Sequence, residues 1–367
     1  MPDDCPDRPD PTGQKSCVTE SALESHQEAI GNVLGDAGRC SAEEQVPGRQ
    51  RLVDVGRKII KTNDSCDLPF NQIINPYRGC ELNCIYCCAR PTHALLKLLP
   101  NTDSATPIYH KPHAARLLRR ELGKPGYRYT STLLGTEADP YQPTERELLL
   151  TRGLLEVFYE LRHPITLLTK SSLILRDLAL LAIMARSGLA QVLIQLATLD
   201  EELAEKLEPQ ATSPQARLAM IRQLSAAGIP VGVVLAPVIP GLTDRELENI
   251  LEAAYAAGAR SACYRVLRLP HELLGQFDHW LLWNAPKHVT RLMAILYGRY
   301  DCKAEQMPLA NPIRGFKRYT DLLEERFKLA CIAFGFTELP DVNDDDFRAS
   351  PKIDSGEEAD SEQGRLF

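Results

Sequence analysis

The chain has 367 residues, enough for one large domain or two, and its 44% hydrophobic and 25% charged residues are an ordinary balance for a folded globular protein. A net charge of -7 excludes binding nucleic acid through overall charge, while leaving room for a local basic patch. No run approaches the roughly eighteen apolar residues of a membrane span and the N-terminus lacks an apolar signal region, so the expectation is a cytoplasmic protein with no membrane partner.

Residues 1–50 are rich in Pro, Asp, Glu, Gly, Ser and Gln, bury too little apolar surface to offset ordering entropy, and predict a disordered N-terminal tail. Cys5, Cys17 and Cys40 fall there and read as free thiols. Residues 51–72 form a basic lead-in carrying Arg51, Arg57, Lys58 and Lys61, expected as a strap on the outside of the domain that begins at Ile73.

From Ile73 onward, short apolar runs alternate with amphipathic stretches. The runs 73–78, 131–135, 165–169, 192–197, 231–236 and 262–267 predict strands. The stretches 144–161, 173–186, 214–227 and 244–257 carry apolar residues at three-and-four spacing, several ending at a glycine (Gly188, Gly228, Gly258), and predict helices. About six strand-helix alternations imply an α/β fold over 73–270, a parallel sheet curled into a barrel or part of one. Residues 271–336, with Trp280, Trp283 and Tyr297, predict a helical C-terminal extension that closes the barrel or caps its mouth, and 337–367 predict an acidic disordered tail.

Chemistry concentrates in one loop. Cys80, Cys84 and Cys87, spaced three and then two residues apart, converge on a single metal centre and leave one coordination position open for a substrate or cosubstrate. Cys88 adds a fourth thiol, so a structural four-cysteine zinc site and a ferredoxin-like carrier also stand. Zinc sites usually draw ligands from two separated knuckles, however, and no second CxxC occurs. Eleven cysteines with one tight group suit a reducing compartment better than a disulfide framework. In barrels of parallel strands, functional groups sit at the C-terminal strand ends. Here these ends carry the cysteine loop, Gly135 to Pro143, Thr169-Lys170-Ser171, Gln195, and Ala236 to Gly241.

This cysteine spacing, with aromatic Tyr86 just before the third thiol, resembles the radical S-adenosylmethionine (AdoMet) enzymes. From Asn75 to Leu269 the segments NPYRGC, ARPTH, DPYQP, LTKS, LEP followed by ARL, and APVIPGL are similar to the relatives of spore photoproduct lyase, in particular a bacterial subfamily of lyase-like proteins. The resemblance implies a partial (β/α)6 TIM-like barrel and a [4Fe-4S] cluster on Cys80, Cys84 and Cys87 whose unligated iron chelates AdoMet. Reductive cleavage would then give a 5'-deoxyadenosyl radical for hydrogen abstraction from an unidentified substrate, with a nucleobase or nucleic acid among the candidates. A flavodoxin or ferredoxin is implied as electron donor.

The resemblance further implies that Gly135 and Thr136 line the cosubstrate's methionine end, that Lys170 and Arg217 reach its carboxylate, that Gln195 lies near the ribose, and that Pro237 and Val238 border the adenine. Other readings stand beside these: Lys170 as a solvated strand-end lysine, Gln195 as a core amide, and Arg217 paired structurally with Glu208. Asp139 reads either as a cofactor ligand or as a turn and cap residue before Pro140. His93 reads as a substrate contact or a helix-start residue, and Arg265 and Arg268 as inward anion contacts or solvated rim residues. The repair lyases carry a cysteine hydrogen donor beside the second-strand motif, and residues 133–139 contain none, so direct repair of the spore photoproduct is not expected. Cys88 reads as a hydrogen-atom donor, a spare ligand or a packed small thiol. The basic residues Arg116, Arg119, Arg120, Lys124 and Arg128, with Arg314, Lys317 and Arg318, read as a nucleic-acid patch or as solvated helix faces. A non-catalytic iron-sulfur carrier or redox sensor and a zinc-stabilised interaction protein are the competing functions.

Overall fold

In the main sheet, strand hydrogen bonding follows chain order. The computed structural model describes residues 44–46, 49–63, 70–87, 89, 107–130, 132–269, 271–288, 292 and 314–337. Within these residues the strands are β1 (Glu44–Val46), β2 (Arg49–Val53), β3 (Ile60–Thr62), β4 (Gln72–Ile74), β5 (Tyr77–Arg78), β6 (Ile108–His110), β7 (Thr132–Leu134), β8 (Ile165–Thr169), β9 (Ala190–Leu196), β10 (Val231–Val238) and β11 (Ser261–Val266). Strands β4, β7, β8, β9, β10 and β11 pair in parallel in that order, and β3 adds antiparallel to the outer side of β4. Six parallel strands whose order runs from β11 to β3 without closing make a partial (β/α)6 barrel.

The helices between them are α1 (Ala114–Leu122), α2 (Glu145–Leu148), α3 (Leu150–Glu160), α4 (Leu178–Arg186), α5 (Glu201–Leu207), α6 (Pro214–Ala226) and α7 (Leu247–Ala257). Their apolar faces pack on the sheet: Leu154, Phe158, Leu181, Met184, Leu218, Ile221, Ile250 and Leu251 share one buried core with Leu167, Val192, Ile194, Val233 and Leu235. Fully burying such a side chain contributes about 1.5–3 kcal/mol, so this layer dominates stability. Gly188, Gly228 and Gly258, which come just after three of the helices, all have positive φ (68°, 78° and 114°), where a side chain would be strained. The C-terminal extension is helical as expected, through α8 (His271–Asn284) and α9 (Arg314–Phe334). Helix α9 lies along α7 and β11, with Arg326 paired to Glu248 at 2.7 Å and the Phe327 ring 4.7 Å from that of Tyr264. No described helix is long and apolar enough to cross a membrane.

Four expectations change. The predicted strand 73–78 is two strands, because Pro76 has no N–H for the ladder and the chain bends there, sending β5 into a second, four-stranded sheet ordered β1-β2-β6-β5. Residues 44–46 and 49–50, placed in the disordered tail, belong to strands β1 and β2 of that sheet. The lead-in contributes strands to both sheets, β2 to the small one and β3 to the main one. The helix expected over 144–161 is broken at Leu149, which has φ 53°. The remainder of 1–50 and residues 338–367 lie outside the described residues.

Candidate active site

The cysteine loop leaves β5 at Gly79, whose φ of 86° and close approach to the Pro107 carbonyl admit only a glycine. Its shape is imposed from outside. The Gln142 side-chain carbonyl accepts the Glu81 N–H at 2.9 Å, and the Glu81 carboxylate accepts the Thr144 N–H at 2.6 Å. Further along, the Ile85 N–H donates to the Leu207 carbonyl at 3.0 Å. Thus the loop after β7 and the end of α5 grip the cysteines from two sides.

Cys80, Cys84 and Cys87 are free thiols. Burial pushes Cys84 up to about 11 against the opposing pull of Lys170, and pushes Cys80 up further, with Asp139, Cys84 and Cys87 adding to the rise. Many of their neighbours are apolar. Leu82, Cys84 and Tyr86 share a buried cluster with Leu207, Ile239, Leu267, Leu273, Phe277 and Leu281, so α8 covers the loop. Trp280, stacked on Phe277, donates its indole N–H to the Lys206 carbonyl at 3.1 Å and ties α8 to α5.

Buried charges meet this loop from the barrel side. Lys170, just past the end of β8, places Nζ 3.2 Å from Cys84 Sγ, 2.8 Å from Tyr86 Oη and 3.0 Å from Glu208 Oε1. Glu208 also accepts from the Tyr86 hydroxyl and from the Arg217 guanidinium. Arg217 is fully buried and spends its other nitrogens on the carbonyls of Thr212 at 2.7 Å and Gln195 at 2.9 Å. Burial alone raises the Glu208 carboxyl, but Lys170 and Arg217 outweigh it and hold it at about 2. Burial likewise opposes the Lys170 charge, which Cys84 and Glu208 restore, holding the ammonium well above the ordinary lysine value.

The remaining strand-end residues fall close by in sequence and sheet order, several with different tasks from those expected. Asp139 accepts from the Tyr141 N–H at 2.8 Å, the Thr169 hydroxyl at 2.7 Å and the Lys170 N–H at 2.9 Å, so its carboxylate joins the β7 loop to the end of β8. Burial raises its pKa despite these donors. Gly135 has φ 103°, and a Cβ there would stand 2.4 Å from the Leu168 carbonyl and 2.6 Å from Pro140, so the need for glycine comes from loop packing on β8. Thr136 is tied to Asn75, whose Oδ1 accepts the N–H groups of Thr136 and Glu137, each at 3.1 Å. The Gln195 amide donates to the Ala236 carbonyl at 2.7 Å, beside the cis Ala236-Pro237 peptide and buried Val238. Arg265 is half-buried and Arg268 exposed. Cys88 and His93 lie outside the described residues. Sequence reading missed Asn75, Glu81 and Gln142, whose signal was their place within or beside the NPYRGC and DPYQP segments, and read Glu208 as a partner of Arg217 or a group reaching the cosubstrate carboxylate.

Among the described residues, no group of three or more His, Cys, Asp and Glu side chains is set to hold a metal ion as it stands. The donor set nevertheless suits an iron-sulfur group: soft thiols from one loop, near enough to raise one another's pKa, inside an apolar shell and beside a buried cation.

A partial parallel barrel with a three-thiol loop after its first strand defines a cofactor-dependent α/β enzyme class. The radical SAM superfamily profile matches residues 74–254, and the chain belongs to that superfamily. An uncharacterised protein of Mycobacterium tuberculosis (strain ATCC 25618 / H37Rv) is 39% identical over 233 residues, 63% of this chain and 68% of the relative. Another, from Methanocaldococcus jannaschii, is 29% identical over 174 residues, 47% of this chain and 62% of the relative. Among solved structures, a spore photoproduct lyase variant with bound AdoMet and dinucleoside spore photoproduct aligns with a TM-score of 0.52 at 15% identity, covering 78% of this chain and 82% of that one, and shows a shared fold. Superfamily membership implies a [4Fe-4S] cluster and cleavage of AdoMet.

Proposed function

We propose that the protein is a radical AdoMet enzyme in which Cys80, Cys84 and Cys87 hold the cluster and the C-terminal ends of β7 to β10 hold AdoMet, for hydrogen abstraction from an organic substrate. The observation that carries this is the meeting of the three-thiol loop with Lys170, Glu208 and Tyr86 at the strand ends of an open parallel barrel. A bound [4Fe-4S] cluster supplies the electron that breaks the sulfonium bond of AdoMet. The chain's own part is to bind, orient and keep water out. Thr136 and the Gly135 backbone border the methionine end, Gln195 faces the ribose, and Pro237 with Val238 flanks the adenine. Asp139 and Arg217 act one step back, Asp139 by fixing the root of Lys170 and Arg217 by fixing Glu208. Tyr86 meets the Lys170 ammonium through its hydroxyl, at 2.8 Å. Helix α8 excludes water from the thiol loop. Reduction in the cell falls to a flavodoxin- or ferredoxin-type donor.

A nucleic-acid substrate is the second reading, favoured by the exposed Arg116, Arg119, Arg120, Lys124 and Arg128. Its weakness is placement. Arg119 pairs with Glu160 in the last turn of α3, the end that leads back to the start of β8 and away from the cysteine loop.

Anaerobically reconstituted protein, given dithionite and AdoMet, is expected to release 5'-deoxyadenosine, with deuterium transferred into it from the right substrate. A cluster without AdoMet turnover makes the protein an electron carrier or sensor, and a colourless zinc-bound protein makes it an interaction module.

A further inference from the structure

We propose that Lys170 serves as a hydrogen-bond donor to a cluster-ligand sulfur, that of Cys84, and that Glu208 and Arg217 are the positioning residues that keep it there. This rests on the assignment of Cys80, Cys84 and Cys87 as cluster ligands.

An ammonium has three N–H groups, and Lys170 faces three acceptors: Cys84 Sγ at 3.2 Å, Tyr86 Oη at 2.8 Å and Glu208 Oε1 at 3.0 Å. Each donor of the head group has a partner in this structure. The head group is also held in place. Its backbone N–H is bound to Asp139, and Glu208 is itself anchored through its second carboxylate oxygen by fully buried Arg217. To swing away, Lys170 would leave a buried carboxylate with one cation fewer, a costly loss in an interior of low polarity.

The Lys170 ammonium, itself held by Glu208, lies against the Cys84 sulfur. A cationic donor on a ligand sulfur stabilises the reduced, more negative state of an iron-sulfur centre, so Lys170 raises its reduction potential. The effect belongs to the protein before any cosubstrate arrives.

The test is a redox titration of the reconstituted cluster without AdoMet, monitored by electron paramagnetic resonance, in wild type, Lys170→Met and Lys170→Gln. Lys170→Met is expected to move the midpoint to a more negative potential, and Lys170→Gln, which retains a neutral donor, to move it less; Gln also serves if Met fails to load iron. Such a shift supports the inference whatever happens to AdoMet affinity. A wild-type midpoint in both variants, with AdoMet binding weakened tenfold or more, overturns it and makes Lys170 a plain carboxylate contact. Wild-type protein that takes up no iron-sulfur cluster instead sinks the ligand assignment beneath it.

Discussion

Gln142 holds Glu81 by its backbone: the side-chain carbonyl of Gln142, a fully buried residue, accepts the Glu81 N–H at 2.9 Å, directly beside Cys80. The same amide reaches the Gly79 carbonyl at 3.4 Å, so one side chain brackets the first thiol on both sides. Replacement by methionine keeps the volume and removes both bonds. Gln142→Met should cost about 1–3 kcal/mol from the loss of the two hydrogen bonds. Iron release to a chelator should be about tenfold faster, as for losses of supporting contacts around other metal ligands. Denaturant unfolding of the apo-protein and chelator kinetics of the loaded protein measure the two effects.

Thiol substitutions separate ligands from neighbours. Cys84→Ala should abolish 5'-deoxyadenosine formation and lower bound iron, whereas Cys263→Ala, on β11, should leave iron content unchanged. Cys88→Ala should also retain the cluster. Iron and sulfide analysis of the three variants gives the answer, and loss of iron in Cys88→Ala would overturn the choice of ligands.

On α8, Phe277 is fully buried in the apolar cluster that includes Cys84 and Tyr86. Phe277→Ala should destabilise the protein by about 3–5 kcal/mol. Air-driven bleaching of the cluster, measured at visible wavelengths, should also accelerate well beyond that of Leu282→Ala on the solvent side of the same helix.

His163 sets a pH dependence remote from the thiols. Burial lowers its pKa to about 4 from 6.5, with Nδ1 against the Pro164 carbonyl and Nε2 against the Tyr127 hydroxyl. Below pH 6.5 the unfolded chain therefore binds a proton that the folded protein refuses. Stability present above pH 6.5 is lost as pH falls toward 4, by about 3 kcal/mol at most. Urea unfolding from pH 7.5 to 4.5 should show a steeper decline for wild type than for His163→Gln; equal slopes would remove His163 as a source.

Much of this was legible in the chain because the signals were local. Thiol spacing singled out the candidate ligands, and short apolar runs with three-and-four patterns between them located the parallel strands and most of the helices. What escaped were residues whose meaning depends on partners far away in sequence. Gln142 looked like a turn residue until it met Glu81, 61 positions earlier. Gly135 suggested a ligand at close quarters, and the close neighbour is the Leu168 carbonyl. Arg217 resembled a cosubstrate contact, yet its nitrogens are taken by Glu208, Thr212 and Gln195. Polar residues reveal a type from sequence, while burial and partners decide its use.

Cys84 shares its apolar cluster with Leu273, Phe277 and Leu281, nearly two hundred positions later in the chain. During synthesis, the thiol loop therefore emerges bare and waits for α8 before its dry surroundings exist. Metal delivered to a half-made chain would meet solvent-washed sulfur, so productive loading belongs after α8 has emerged, when the last third of the polypeptide can come to rest on the first.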